Sequence, residues 1–198
     1  SVEFMNKFNN LPKEIVVAII ATTSENRRKI TEILCENRNV KNVIFEKVLF
    51  QNKVDYQLIR NLLERKNIKA WINCWRRTFN IYQNIKNELN KQKLVKFQVD
   101  GSNWGLASNT IHLIDLLAFF SDSLMYTIID ENLSVLKSKR KGYYELDGKI
   151  QGVFDDNIIF KLNCDKSHKV DISINIVGSK NQYLINEVIG TCRKINPL

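Results

Sequence analysis

The chain has 198 residues, 44% of them hydrophobic, and 30 Lys and Arg against 21 Asp and Glu give it a net charge of +9. That apolar share excludes a disordered chain, and the length suits one ordinary domain or two small ones. The longest apolar run, residues 15–21, is too short to span a bilayer, so no segment reads as a transmembrane helix.

In chain order, residues 14–22 (Glu-Ile-Val-Val-Ala-Ile-Ile-Ala-Thr) are a β-branched run of the kind buried on both faces of a parallel sheet. Thr22, Thr23 and Ser24 follow as capping residues, with Glu25 favourable to a helix's first turn. Residues 25–38 place Ile30, Ile33 and Leu34 on one helical face. A second strand is predicted over 40–45, a helix over 52–66 through Tyr56, Ile59, Leu62 and Leu63, and a third strand over 68–75. Strands joined by helices of this length imply right-handed crossovers and a parallel sheet, whose working residues gather at the carboxyl ends of its strands. Those ends are Thr22-Thr23-Ser24, Glu46-Lys47 and Asn73 to Arg77. Lys47, Arg76 and Arg77 are therefore expected on one basic rim suited to a phosphate, carboxylate or polarised oxygen, with plain solvated strand-end charges as the competing reading. No glycine precedes residue 101, so the glycine-rich strand-to-helix turn that cradles a pyrophosphate is not in this sequence.

A helix from about Ile81 runs into the polar stretch 88–93, where a boundary is expected between a domain of residues 1–90 and one of residues 91–198. Residues 94–99 alternate as a strand. Gly101 then opens a glycine-bracketed turn into an apolar helix on which Asn109, His112 and Asp115 recur every third residue and share a face. Leu113, Leu116, Leu117 and Phe120 fall on the buried side. A polar stripe on such a helix is costly to bury without partners or a ligand. Spacing alone leaves open whether His112 and Asp115 are a satisfied core pair or a working one.

Further strands are predicted over 124–130, 142–146, 149–154, 157–164 and 169–177, with turns at Asp147-Gly148, Asp155-Asp156-Asn157 and Gly178-Ser179-Lys180. This half is expected to be an antiparallel, meander-like sheet burying Val170, Ile172, Ile174 and Ile176 against the His112 helix. Its opposite face mixes apolar and polar residues, so a homodimer through this sheet is expected. His168 reads as a plain loop residue, and Trp104 either stacks on a sugar ring or simply packs. The lysines are scattered, without a basic block or interleaved aromatics, which argues against nucleic acid as a partner. Cys35, Cys74, Cys164 and Cys192 form no C-x-x-C pair, so neither a disulfide framework nor a metal site is expected. With no leader pattern in residues 1–14, the cytoplasm is the expected compartment.

Taken together, these segments resemble the Gfo/Idh/MocA-type oxidoreductases. Residues 15–27 are similar to the family's strand leading into A-T-P and a later His, keeping Ala21-Thr22 but with Thr23 for the proline and Arg27 for the His. Glu46-Lys47-Val48 resembles its E-K-P signature, Val48 replacing a proline that in the family often follows a cis bond. The stretch from Asn73 to Asn80 resembles N-x-x-R-R-F-x-P through Arg76 and Arg77. The central helix resembles a segment whose His and following Asp match His112 and Asp115, while the family's catalytic Asp falls on Ser108.

The resemblance implies an α/β fold: a partial Rossmann-like parallel β-α-β unit followed by an α+β domain with a mainly antiparallel sheet. It implies NAD- or NADP-dependent oxidoreduction of a sugar or nucleotide sugar, with His112 as acid/base, Lys47 polarising the oxygen, and Asn109 or Asp115 orienting the imidazole across one cleft. Thr22, Glu46, Lys47, Arg76 and Arg77 would contact the cofactor. The first 75 or so residues would be the second half of a Rossmann domain, whether as a fragment, a truncated product or a degenerate fold, and cofactor binding by this chain alone is expected to be weak. The alternative is a non-catalytic binding or assembly module derived from the same family.

Overall fold

A computed structural model describes residues 3–138, 141–155, 157–167 and 169–196. The chain forms two compact units, residues 1–73 and 74–198. In the first, β1 (Glu14–Ile20), α1 (Ser24–Asn37), β2 (Asn39–Phe45), α2 (Lys53–Arg65) and β3 (Lys69–Ile72) follow one another. The strands form a parallel sheet in the order β1-β2-β3, with Ile20 beside Phe45 and Phe45 beside Ile72. Two successive right-handed crossovers put both helices on one face. Leu34 and Cys35 of α1 and Ile59, Leu62 and Leu63 of α2 there share a core with Ile20, Val43 and Phe45. Each fully buried side chain of this size contributes about 1.5–3 kcal/mol, which holds so small a sheet together.

The opposite face carries Ile19, Ile44 and Trp71 in register, and Ile19 is 69% exposed and Trp71 52%. β1 is therefore an edge strand covered on one face, not a strand buried on both. Phe8 and Leu11 pack against its core, held by Arg38, which donates to the carbonyls of both.

The second unit starts with a 3₁₀ turn (Trp75–Thr78) and α3 (Asn80–Leu89). It continues through β4 (Leu94–Gly101), α4 (Leu106–Ser121), β5 (Tyr126–Lys137), β6 (Tyr144–Phe154), β7 (Ile158–Cys164), β8 (Ser173–Gly178), β9 (Gln182–Asn186) and β10 (Thr191–Ile195). The strands form a seven-stranded sheet, β10-β9-β8-β4-β7-β6-β5. It is antiparallel except for the β4–β7 pair, which is parallel. Leu113, Leu116, Leu117 and Phe120 of α4 bury against Ile174 and Ile176 of β8, Phe97 of β4 and Phe160 of β7, the packing that the period of α4 and the alternation of β8 predict.

Four details depart from the sequence reading. Tyr82, Ile85 and Leu89 bury α3 in the core of the second unit, so the division falls at 73/74 and not near 90. Residues 169–172 lie outside β8, and Val170 is exposed. The β9–β10 hairpin has no counterpart among the predicted strands, because its connection, Glu187-Val-Ile-Gly190, carries two apolar residues and hides the turn. Asp147-Gly148 is not a hairpin turn but the middle of β6, with Gly148 between Leu133 of β5 and Cys164 of β7. Gly148 adopts φ 123°, and a Cβ there would overlap the Asn132 carbonyl oxygen. The glycine is needed for close approach of β5, not for reversal of the chain. His168 and Asp156 of the Asp155-Asp156-Asn157 turn lie outside the described residues.

Candidate functional site

In the first unit the parallel register brings the ends of β1, β2 and β3 side by side. Arg27, 2% exposed, ties two of the loops that follow them. Its guanidinium donates to the carbonyls of Val48 and Leu49 (2.8 Å for the latter) after β2, and to the carbonyl of Thr22 after β1. Burial pulls the Arg27 pKa down, opposed by Glu46 and Tyr56. Even a lowered arginine stays charged at neutral pH, so this is a permanent cationic clamp. Glu46 accepts a hydrogen bond from Asn73 Nδ2 at 2.6 Å, joining the ends of β2 and β3. Lys47 follows at the end of β2 and is half-buried, and the Lys47–Val48 peptide bond is cis. Thr22 Oγ1 is buried with no hydrogen-bond partner among the described residues.

In the second unit α4 begins at Gly105, whose φ of 78° suits glycine. Glu145 of β6 accepts from the amides of Ala107 (2.5 Å) and Leu146 (2.9 Å), so its carboxylate sits over the first turn of α4. Trp104 Nε1 donates to the carbonyl of Asn163 at 2.8 Å, and Asn109 Nδ2 to the carbonyl of Trp104. Trp104, Ser108, Asn109, Lys137, Glu145 and Asp147 line a cleft of about 650 Å³.

One turn further along α4, His112 is 3% exposed and packs on the Trp75 indole, with ring centroids 5.7 Å apart and planes at 53°. The Asp115 carboxylate receives Arg77 through both Nε (2.8 Å) and Nη2. Arg76 is buried, donates through Nε and Nη2 to Glu187 (2.8 and 2.7 Å), and lies 4.8 Å from the Trp75 ring. Tyr82 also donates to Glu187, at 2.6 Å. Its burial, with Glu187 close by, pushes the phenol upward and keeps it a donor. In place of an open arginine rim the structure thus has two matched ion pairs. Asn109 and Asp115 share a helix face with His112, as their spacing predicts, but their hydrogen bonds to Trp104 and Arg77 engage groups other than the imidazole. Among the described residues no cluster of His, Cys, Asp and Glu could hold a metal ion, no disulfide joins the four cysteines, and no helix is long and apolar enough to cross a membrane.

No family model matches this sequence, and no curated protein sequence matches it. Solved structures do. A dehydrogenase, MviM, from Clostridium difficile aligns with 92% of this chain at 15% identity and a TM-score of 0.69, the chain covering 63% of that structure. UDP-N-acetylglucosamine 3-dehydrogenase GnnA from Acidithiobacillus ferrooxidans aligns with 91% at 9% identity and 0.71, with 60% of that structure covered. A super-repressor mutant of Gal80p from Saccharomyces cerevisiae aligns with 92% at 13% identity and 0.70, with 61% covered. The fold is that of the Gfo/Idh/MocA-type oxidoreductases. This chain spans 60–63% of the length of these three structures.

Within that fold, four side chains that the sequence reading did not single out for these roles organise the two sites. Arg27 appears there only as a departure from the family's His, yet it clamps two strand-end loops. Trp75 directly precedes the arginine pair, a placement that could have marked it. Glu145 and Glu187 stand alone in unremarkable sequence and become visible only through their partners.

Proposed function

We propose that the chain is an NAD- or NADP-dependent oxidoreductase, or a part of one, acting on a hydroxyl or carbonyl of a sugar or nucleotide sugar in the cytoplasm. The observation that carries this reading is a buried His112 on a helix whose first turn lines a cleft, in a fold shared with dehydrogenases. GnnA is a UDP-N-acetylglucosamine 3-dehydrogenase, which favours a nucleotide sugar here.

The residues fit the nicotinamide end of such a cofactor. Thr22 offers a buried, unmatched hydroxyl, and Glu46 and Lys47 stand at the neighbouring strand end. A nicotinamide, when bound, supplies or accepts the hydride. On its own unit each candidate has a role: Lys47, after β2, would offer an ammonium to an oxygen, and His112, on α4, would take or return a proton, a role worth about 10²–10⁴-fold in rate for a well-placed group. Asp115 holds the helix face that carries the imidazole, through Arg77, and Asn109 steadies its first turn. Arg76 and Arg77, which the family resemblance assigns to the cofactor, read better as braces because each already has its carboxylate.

Calorimetry with NAD, NADH, NADP and NADPH, followed by turnover with UDP-sugars, tests the proposal. Nucleotide-dependent turnover that falls about 10²-fold or more in H112A, and also falls in K47A, is the expected result. Turnover indifferent to both substitutions would overturn the site. A second reading, a non-catalytic binding or assembly module, is favoured by Ser108 at the position where the resemblance places a catalytic Asp. The super-repressor mutant of Gal80p also shares the fold. Absence of heat with every nicotinamide nucleotide would favour it.

A further inference from the structure

We infer that Trp75, seated by the Arg76–Glu187 ion pair, is a positioning residue for the His112 imidazole. This rests on the reading of His112 as the proton-handling group. The 3₁₀ turn that carries Trp75 is four residues long, and so short a turn has poor hydrogen-bond geometry and little order of its own. What holds it comes from distant segments. Glu187, in the β9–β10 connection, receives two nitrogens of Arg76 and the Tyr82 hydroxyl. Asp115, one turn beyond His112 on α4, receives Arg77. The turn is thereby pinned to the sheet on one side and to the helix bearing the imidazole on the other.

Between the pins the indole, 37% exposed, lies against the Phe79 ring at 4.8 Å, the Arg76 guanidinium at 4.8 Å and the His112 ring at 5.7 Å. The outer torsion of a histidine is broad and roughly two-fold, so backbone placement alone does not choose the ring's orientation. A planar wall on one side narrows the planes that the ring can take. Remote charge pairing at Glu187 therefore reaches the imidazole through two contacts, guanidinium on indole and indole on imidazole.

The test reads His112 directly. The chain has two histidines, His112 and His168, and the signal lost in H112N identifies the His112 ring resonances in a proton–carbon correlation spectrum of the full chain. E187Q and W75L are expected to shift and broaden those resonances, with the amides of the seven-stranded sheet unmoved, and W75F to restore most of the original signal by returning a ring. In the catalysed reaction E187Q should lower kcat about tenfold with KM nearly unchanged, as misorientation of a reacting group does. If W75L does not fold, E187Q alone decides. A lowered melting temperature in E187Q with the His112 resonances unchanged would overturn the inference, leaving the pair as a structural staple. Shifted resonances in a chain that turns over no sugar would sink the oxidoreductase reading while upholding this one.

Discussion

Arg27 shows most clearly how one buried side chain organises this protein. A guanidinium presents five donors in a rigid fork, and here the fork meets the carbonyls of Thr22, Val48 and Leu49, which belong to two different strand ends. Without it these three acceptors would lose their shared donor. R27M, which keeps the apolar stem, should destabilise the protein by about 3 kcal/mol, the scale of losing hydrogen bonds to a charged partner. Urea denaturation measures this. R27K should recover little, because one ammonium cannot span three carbonyls in the guanidinium's geometry. A midpoint unchanged in R27M would mean that the strand-end loops keep their shape unaided.

Among the elements, β6 is the one whose local signals mislead. Tyr144-Glu-Leu-Asp-Gly-Lys-Ile reads as two short strands about a tight turn, yet the segment is extended and pairs on both sides, with β5 and with β7. Two ladders outweigh one turn, because each continued residue adds backbone hydrogen bonds on both edges. The site depends on this, since Glu145 near the start of β6 places its carboxylate over the first turn of α4. G148A should cost about 3 kcal/mol, combining a strained positive φ with collision at Asn132. Thermal melting of the variant checks it, and a melting temperature within a degree of wild type would show that β5 can move aside.

On the scale of the whole molecule, each unit has its own core, and the second presents a broad sheet face turned away from α4. Val153, Ile159, Val177 and Leu184 lie there beside Lys96, Gln98 and Lys161. Ile159 is 43% exposed and Leu184 37%. Apolar residues set among polar ones at this density suit a wet subunit interface of moderate polarity. We therefore expect two 23.1 kDa chains to associate through this face. Light scattering at tens of micromolar should report the dimer, and L184K with I159K should return it to monomer. A wild-type monomer at that concentration would contradict the prediction.

Amino-acid sequence by itself determined the parallel unit and the packing of α4. β-branched runs separated by 3.6-period segments allow few topologies other than a right-handed parallel sheet. The apolar side of α4 and the alternation of Ile174 and Ile176 each specify a buried face without reference to any partner. The motif residues at the ends of β1, β2 and β3 were legible for the same reason, since a strand's end is a local property. Tertiary structure alone decided what those motifs touch. Arg76 finds its carboxylate 111 residues away and Arg77 finds its own 38 away, and no local pattern encodes which of 21 acidic side chains a guanidinium will meet. Periodicity records which face of an element leaves water; pairing between strands and between charges depends on the three-dimensional path of the whole chain, as the parallel β4–β7 pair, the continuous β6 and the brace behind His112 all show.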